Sequence, residues 1–184
     1  MATEPAHWRF TVDDYDRMVE AGILSEDDRV ELINGEIVGM SPIGGRHIAC
    51  VDRLTQLLTT HVGTEAIVSI QNPIRLGEYQ EPEPDIVVKR RRSYGDDLPA
   101  ADDVFLLMEV ADTSVAYDRG TKLPVYAAAG IPEAWLVDIP GEAIERHTNP
   151  VDGTYRVTMR VGRGEAIEST VFPDLRLKTD EVLS

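Results

Sequence analysis

The chain predicts a mixed α/β (α+β) domain with a central mixed β-sheet flanked by helices, and three observations carry that prediction. Short strand-patterned segments rich in valine, isoleucine and leucine recur from "VELINGEIVGM" (30–40) to "TYRVTMRV" (154–161). Segments with helical periodicity interrupt them near the start and in the middle. "VFLLMEVA" (104–111) is a continuous apolar run, as suits a strand buried on both faces. Strands, a helix and further strands in this order imply helices packed on one sheet, and a length of 184 residues suits a single domain spanning 1–184.

Each element has a local reason. "FTVDDYDRMVEAGIL" (10–24) reads as a helix: Thr11 caps it, Asp14 takes the capping-box position, Tyr15, Met18 and Val19 form the apolar face, and Gly22 suits the exit. In "VELINGEIVGM" the Asn34-Gly35 pair marks a hairpin, because both turn positions favour positive φ. "GGRHIACVDRLTQLLTTHV" (44–62) places Ile48, Val51, Leu54 or Thr55, and Leu58 on one helical stripe. "AIVSI" (66–70), "PIRL" (73–76) and "DIVVK" (85–89) read as short strands, and "SYGDDLPAADD" (93–103) as a polar loop. A helix is expected over 121–129, ended by "GIP". "AWLVDI" (134–139), stopped by Pro140-Gly141, then "AIERHT" (143–148), "TYRVTMRV" and "EAIESTVF" (165–172), read as strands and turns.

Composition narrows the functional classes. The formal net charge of −15 and a pI near 4.6 favour solubility and argue against a general nucleic-acid coat. A local site is not excluded, because exposed charges are screened beyond about 8 Å at physiological salt. Lys89, Arg90, Arg91 and Arg92 form the one run of four cations. Cys50 is the only cysteine, so neither an internal disulfide nor a cysteine-based zinc site is available. The opening "MATEPAHWRF" lacks a signal-peptide pattern, and no apolar stretch reaches the roughly 20 residues of a membrane helix. A cytoplasmic protein without membrane contact is the expectation.

Chemistry gathers on two carboxylates. Asp85, fixed behind Pro84, heads one apolar strand, and Glu109 lies near the end of another. If those strands are neighbours, the two side chains meet. At 4 Å they would repel by roughly 4 kcal/mol at an effective dielectric of 20, which a shared proton, a cation or a divalent metal relieves. Carboxylate and carbonyl oxygens suit Mg²⁺ or Mn²⁺. On spacing alone an ordinary strand-start aspartate and a glutamate paired to an arginine are the plainer reading, and the metal site stays open beside it.

"RVELINGEIVGMSPIGGRH" (29–47), "EPDIVV" (83–88), "LLMEVADTSVAYDRGTKLPVYAAAGIPEAWLVDI" (106–139) and "VFPDLRL" (171–177) together resemble the Uma2 family of restriction-endonuclease-like proteins, within the PD-(D/E)xK nuclease superfamily. The resemblance runs over residues 10 to 177, with the motifs in order. It implies a restriction-endonuclease-like core, a Mg²⁺- or Mn²⁺-dependent DNA endonuclease activity, DNA as partner, and a homodimer as one way to cut both strands. Position by position it implies that Asp85 and Glu109 hold the metal with the carbonyl of Val110. The superfamily's usual lysine, two residues after the glutamate, is Ala111 here, and Lys122 on the next helix stands in for it. Glu31 matches a further acidic position beside a metal-bound water, and His47 matches a site-lining position.

Plainer roles compete with these. Pro124, two residues after Lys122, places the helix start near Thr121 as its cap, so Lys122 would project from a helix N-terminus. Glu31 equally fits a cross-strand salt bridge, and His47 a packed, hydrogen-bonded histidine on its helix stripe. Lys89, Arg90, Arg91 and Arg92 bind phosphates away from the reacting one, or offset acids such as Asp102 and Asp103. Asp118 caps the helix or pairs with a cation, Asp138 is a turn residue, and Tyr126 and Trp135 are core aromatics. An inactive nuclease-fold module that binds nucleic acid or protein is the alternative to the enzyme.

Overall fold

The computed structural model describes residues 7–25 and 27–184; the signal-peptide reading of the opening stretch falls largely on residues 1–6, outside them. The chain opens with α1 (Val12–Glu20), whose N-cap Thr11 and N3 residue Asp14 form the expected capping box. Val12 rather than Val19 is the buried apolar residue of α1; Val19 is 45% exposed. The hairpin β1 (Val30–Ile33) and β2 (Glu36–Gly39) turns at Asn34 and Gly35, with φ of 55° and 77°. α2 (Gly45–Val62) buries Cys50, Val51, Leu54, Leu58 and Val62, whereas Ile48 is half exposed.

A six-stranded sheet follows, in the order β3-β4-β5-β6-β7-β8. Its members are β3 (Ala66–Ile70), β4 (Ile86–Arg90), β5 (Val104–Ala111), β6 (Glu133–Asp138), β7 (Ala143–Val151) and β8 (Thr154–Gly162). Only β5 and β6 run parallel; every other neighbouring pair is antiparallel. "PIRL" is not a strand: Arg75 makes a single bridge to Ala100, and its guanidinium ties Asp16 of α1 to Glu81. A 3₁₀ turn, Ala101–Asp103, closes the polar loop before β5. "EAIESTVF" contributes only β9 (Ala166–Glu168), paired with β10 (Arg176–Lys178), before a final turn of helix, Thr179–Leu183.

The β5–β6 crossover departs most from expectation. Helix begins at Val115, not at Thr121: α3 (Val115–Tyr117) runs into a π turn (Asp118–Lys122) and then α4 (Leu123–Ala128). Thr121 therefore lies inside the π turn and caps nothing, and Lys122 is buried rather than projecting from a helix end. The amide of Leu123 reaches back five residues to the Asp118 carbonyl, and Pro124 follows with no N–H to place.

Period-two alternation sends side chains to two cores. On one face α2 and the C-terminal segment pack on Ile86, Val88, Leu106, Met108 and Trp135. On the other, the hairpin's Ile33 and α4's Leu123, Val125 and Tyr126 pack on Val87, Leu107, Ala111 and Leu136. Among the described residues no helix is long and apolar enough to cross a membrane.

Candidate active site

Register explains why two acids 24 residues apart in the sequence meet. Ile86 pairs with Met108 across the antiparallel β4–β5 ladder. Asp85, one residue before Ile86, and Glu109, one after Met108, thus fall at neighbouring positions on one end of the sheet. The Val110 amide donates to Asp85 Oδ2 at 2.8 Å, which locks the aspartate against β5. The crossover to β6 leaves from this same end, so the π turn returns over Glu109 and delivers Lys122.

The resulting cavity, of about 360 Å³, is lined by Asp85, Glu109, Val110, Lys122, Glu31 and His47, all six of the residues singled out for it in the sequence. The Lys122 ammonium lies 2.8 Å from Glu109 Oε1 and 3.1 Å from Glu31 Oε2, with all three side chains about 5% exposed or less. Glu31 is therefore not a cross-strand partner within its hairpin: it faces Val38 there and accepts from the Glu83 amide at 3.2 Å. His47 Nε2 lies 2.9 Å from Asp85 Oδ1, which makes the histidine a member of the site.

Three further groups belong here that sequence reasoning placed elsewhere or passed over. Tyr126, fully buried, donates its hydroxyl to Glu109 Oε1. It follows Lys122 by four residues, the helical spacing that puts both on one face. Asp118 is buried and accepts from the Ser114 hydroxyl at 2.6 Å. Tyr117 lines the cavity, and its hydroxyl is buried without a hydrogen-bond partner.

Burial sets the electrostatics. Desolvation pushes the Glu109 carboxyl up to about 8 against the pull of Lys122, with Asp85, Asp118 and Glu31 adding to the rise. Desolvation also works to lower the Lys122 ammonium, but Glu109, Glu31 and Asp118 together outweigh it and hold the ammonium above its ordinary value. Lys122 is thus charged across the physiological range. Glu83 and Asp118 are likewise raised by burial.

The donor set fits a hard divalent cation. Glu31, Glu83, Asp85, Glu109, Asp112 and Asp118 line the cavity, against only Arg29 and Lys122 as fixed cations. Among the described residues no three His, Cys, Asp or Glu side chains group closely enough to bind a metal by themselves. Two carboxylates, a backbone carbonyl and water are the ligands this arrangement offers, and they suit Mg²⁺ or Mn²⁺.

The cationic run lies at the far end of β4 from Asp85. Arg92 pairs with Asp103 at 2.7 Å and stacks on Tyr94, Lys89 also lies over Tyr94, and Arg90 bonds the Asp102 carbonyl and lies over Phe105. Three of the four side chains are thus engaged within the fold, Arg92 in offsetting the acids of the neighbouring turn. Asp138 is the expected turn residue, accepting from the Gly141 amide, and Trp135 the expected core aromatic.

Comparisons with known proteins agree with this architecture. No curated protein matches the chain. A crystal structure of a nuclease from Anabaena variabilis, titled putative and belonging to DUF820, superposes with a TM-score of 0.75 at 17% identity, covering 95% of this chain and 97% of that one. This shows a shared fold. The type IIG restriction endonuclease BpuSI aligns with 60% of this chain and 13% of its own, at 17% identity and a TM-score of 0.39, too low to carry weight. The family described as "Uma2: Putative restriction endonuclease" matches residues 12–180. With nearly the whole length covered, the chain belongs to the Uma2 family.

Proposed function

We propose that this protein is a divalent-metal-dependent endonuclease that hydrolyses phosphodiester bonds in DNA. The observation that carries the reading is the convergence of Asp85 and Glu109 at one sheet end, in an acid-rich cavity bridged by the Lys122 ammonium. Asp85, Glu109 and the Val110 carbonyl would hold Mg²⁺ or Mn²⁺, which neutralises phosphate charge and makes a bound water more acidic.

The side chains divide the remaining work. Lys122 keeps its proton, so it serves as a positive charge beside the phosphate and an orienting donor to the water, not as a base. Glu31, held by Lys122 and the Glu83 amide, takes the water's proton. The water oxygen bonds to phosphorus, one P–O ester bond breaks, and the leaving oxygen is protonated from solvent. His47 and the Val110 amide fix the Asp85 carboxylate on both oxygens, and Tyr126 fixes Glu109.

The test is nicking of supercoiled plasmid DNA in Mg²⁺ or Mn²⁺ by the wild type, Asp85→Ala, Glu109→Gln and Lys122→Ala. The expected outcome is metal-dependent nicking that falls at least about 100-fold in each variant. Nicking that survives in all three, with folding verified by circular dichroism, would refute the assignment. One observation favours an inert module instead: His47 and Lys122 already serve as partners to Asp85 and Glu109. Calorimetric titration separates the two readings, since an inert module takes up no Mn²⁺ and an enzyme loses its uptake in Glu109→Gln.

A further inference from the structure

Tyr117 brings to this cavity a buried hydroxyl that no protein group uses. Among the described residues four buried side-chain polar atoms have no partner, and two of them, the Tyr117 hydroxyl and His47 Nδ1, belong to residues lining this one cavity. A fold that pairs Glu31, Asp85, Glu109 and Asp118 leaves these two unmet at the same place. Buried polar atoms are normally satisfied, so the exceptions point to a ligand that completes them.

The π turn explains how Tyr117 comes to be there. On an α-helix, residues five apart point about 140° away from each other. Bonding five residues apart brings them above one another instead, and Tyr117 and Lys122 both line the cavity as a result. The widening that places the lysine on Glu109 therefore places the phenol as well. Burial, with Glu31 adding to it, pushes the phenol up to about 12, so the group keeps its proton and acts as a donor.

We infer that the Tyr117 hydroxyl is a substrate-contacting residue that donates a hydrogen bond to a non-bridging oxygen of the phosphodiester being cleaved. A phosphodiester offers only acceptor oxygens, which is what an unused donor beside a lysine requires. His47 is engaged otherwise, since its Nε2 already faces the Asp85 carboxylate at 2.9 Å. The phosphate contact is therefore assigned to Tyr117, whose hydroxyl is its one side-chain polar atom and has no partner. Charge grows on the phosphate oxygens in the transition state, so the bond tightens there and the effect falls on kcat more than on KM.

The inference rests on the nuclease reading, and Tyr117→Phe tests it with two readouts. Plasmid nicking in Mn²⁺ is expected to fall about 10- to 100-fold, the range for a hydrogen bond to a charged group. The thermal midpoint of the free protein is expected to stay level or rise, because the variant deletes a hydroxyl that has no partner there. Wild-type nicking rates in Tyr117→Phe overturn the inference, and so does a midpoint lowered by several degrees, which would show the hydroxyl to be serving the fold. If the wild type neither nicks DNA nor binds a fluorescein-labelled oligothymidylate in Ca²⁺, the nuclease reading itself fails and takes this inference with it. An active wild type matched by an equally active Tyr117→Phe removes the Tyr117 role alone.

Discussion

Replacing Lys122 by methionine gives the sharpest stability test of the site. The substitution keeps the length and packing of the side chain and removes its charge. The ammonium lies 2.8 Å from Glu109 Oε1 and 3.1 Å from Glu31 Oε2, so at an effective dielectric of 20 each contact is about 5 to 6 kcal/mol of gross attraction. Taking the ammonium out of water offsets most of that. Removing one partner of a buried pair costs about 3 to 5 kcal/mol where the remaining charge must stay. That condition depends on pH. Burial already raises Glu109 to about 8, and without the lysine it rises further, so the folded variant binds a proton there that the unfolded chain, titrating near 4.5, has released. Stability of the variant accordingly falls as pH climbs from about 4.5 through the raised value. Because Glu109 is raised to about 8 in the wild type as well, the two proteins part only as pH nears that value, and urea unfolding in EDTA is expected to show a deficit about 1 kcal/mol larger at pH 8.5 than at pH 5.5. In a cycle with Glu109→Gln, the coupling at pH 8.5 is expected at about 1 to 3 kcal/mol. A deficit of equal size at both pH values, or none at pH 8.5, would show that the lysine is not the counter-charge of these carboxylates.

Two further perturbations probe the frame around the site. Glu145 is held down to about 2 by its hydrogen bond to His147 and by Arg119 and Arg160. Its contribution is present above about 4.5 and disappears as pH falls toward 2; the shift corresponds to about 3 kcal/mol, which solvent around the half-exposed arginines reduces to about 1 to 2. Thermal melts of Glu145→Gln should therefore lie below wild type at pH 6, with the gap narrowing by pH 3 and closing toward pH 2; a constant gap would contradict the shift. Gly35→Ala should destabilise by about 2 kcal/mol or more, since φ is 77° and a Cβ would sit 2.7 Å from that of Arg9, and a denaturation midpoint unchanged from wild type would count against this turn geometry.

What the sequence disclosed depended on how local the cause was. The Asn34-Gly35 hairpin and the Thr11 capping box were legible because each is enforced by the backbone preferences of the residues themselves. The Asp85–Glu109 meeting needed one further fact, that "DIVVK" and "VFLLMEVA" are antiparallel neighbours; the family resemblance implied its consequence, two acids on one metal, but not the pairing itself. Ile48 and Val19 misled because an apolar residue on a helix need not be buried. "PIRL" misled because its place is set by Arg75 bridging two acids from other segments, a tertiary cause with no periodic trace. Lys89, Arg90 and Arg92 carried charge in the sequence and Asp103 was legible there as an acid to offset, but the aromatic partners Tyr94 and Phe105 were visible only in space. Tyr117 was hidden for a related reason: its approach to Lys122 rests on a π turn, and a 3.6-residue pattern does not contain it.

The same turn joins three features that look like separate irregularities in the sequence. Ala111, two residues after Glu109, shares its face of β5 and is fully buried in the same apolar cluster as Leu123 of α4. A lysine there would fill the space through which the helix approaches the strand. The small side chain lets the crossover press close to Glu109, and the ammonium then arrives from above, out of the helix, instead of along the strand. To reach down it must sit on a widened turn, and Pro124 directly after that turn has no amide to complete a regular ladder. The absent strand lysine, the proline and the broken helix are thus one arrangement. A change that regularised the helix would carry Lys122 and Tyr117 apart and leave Glu109 buried without its cation.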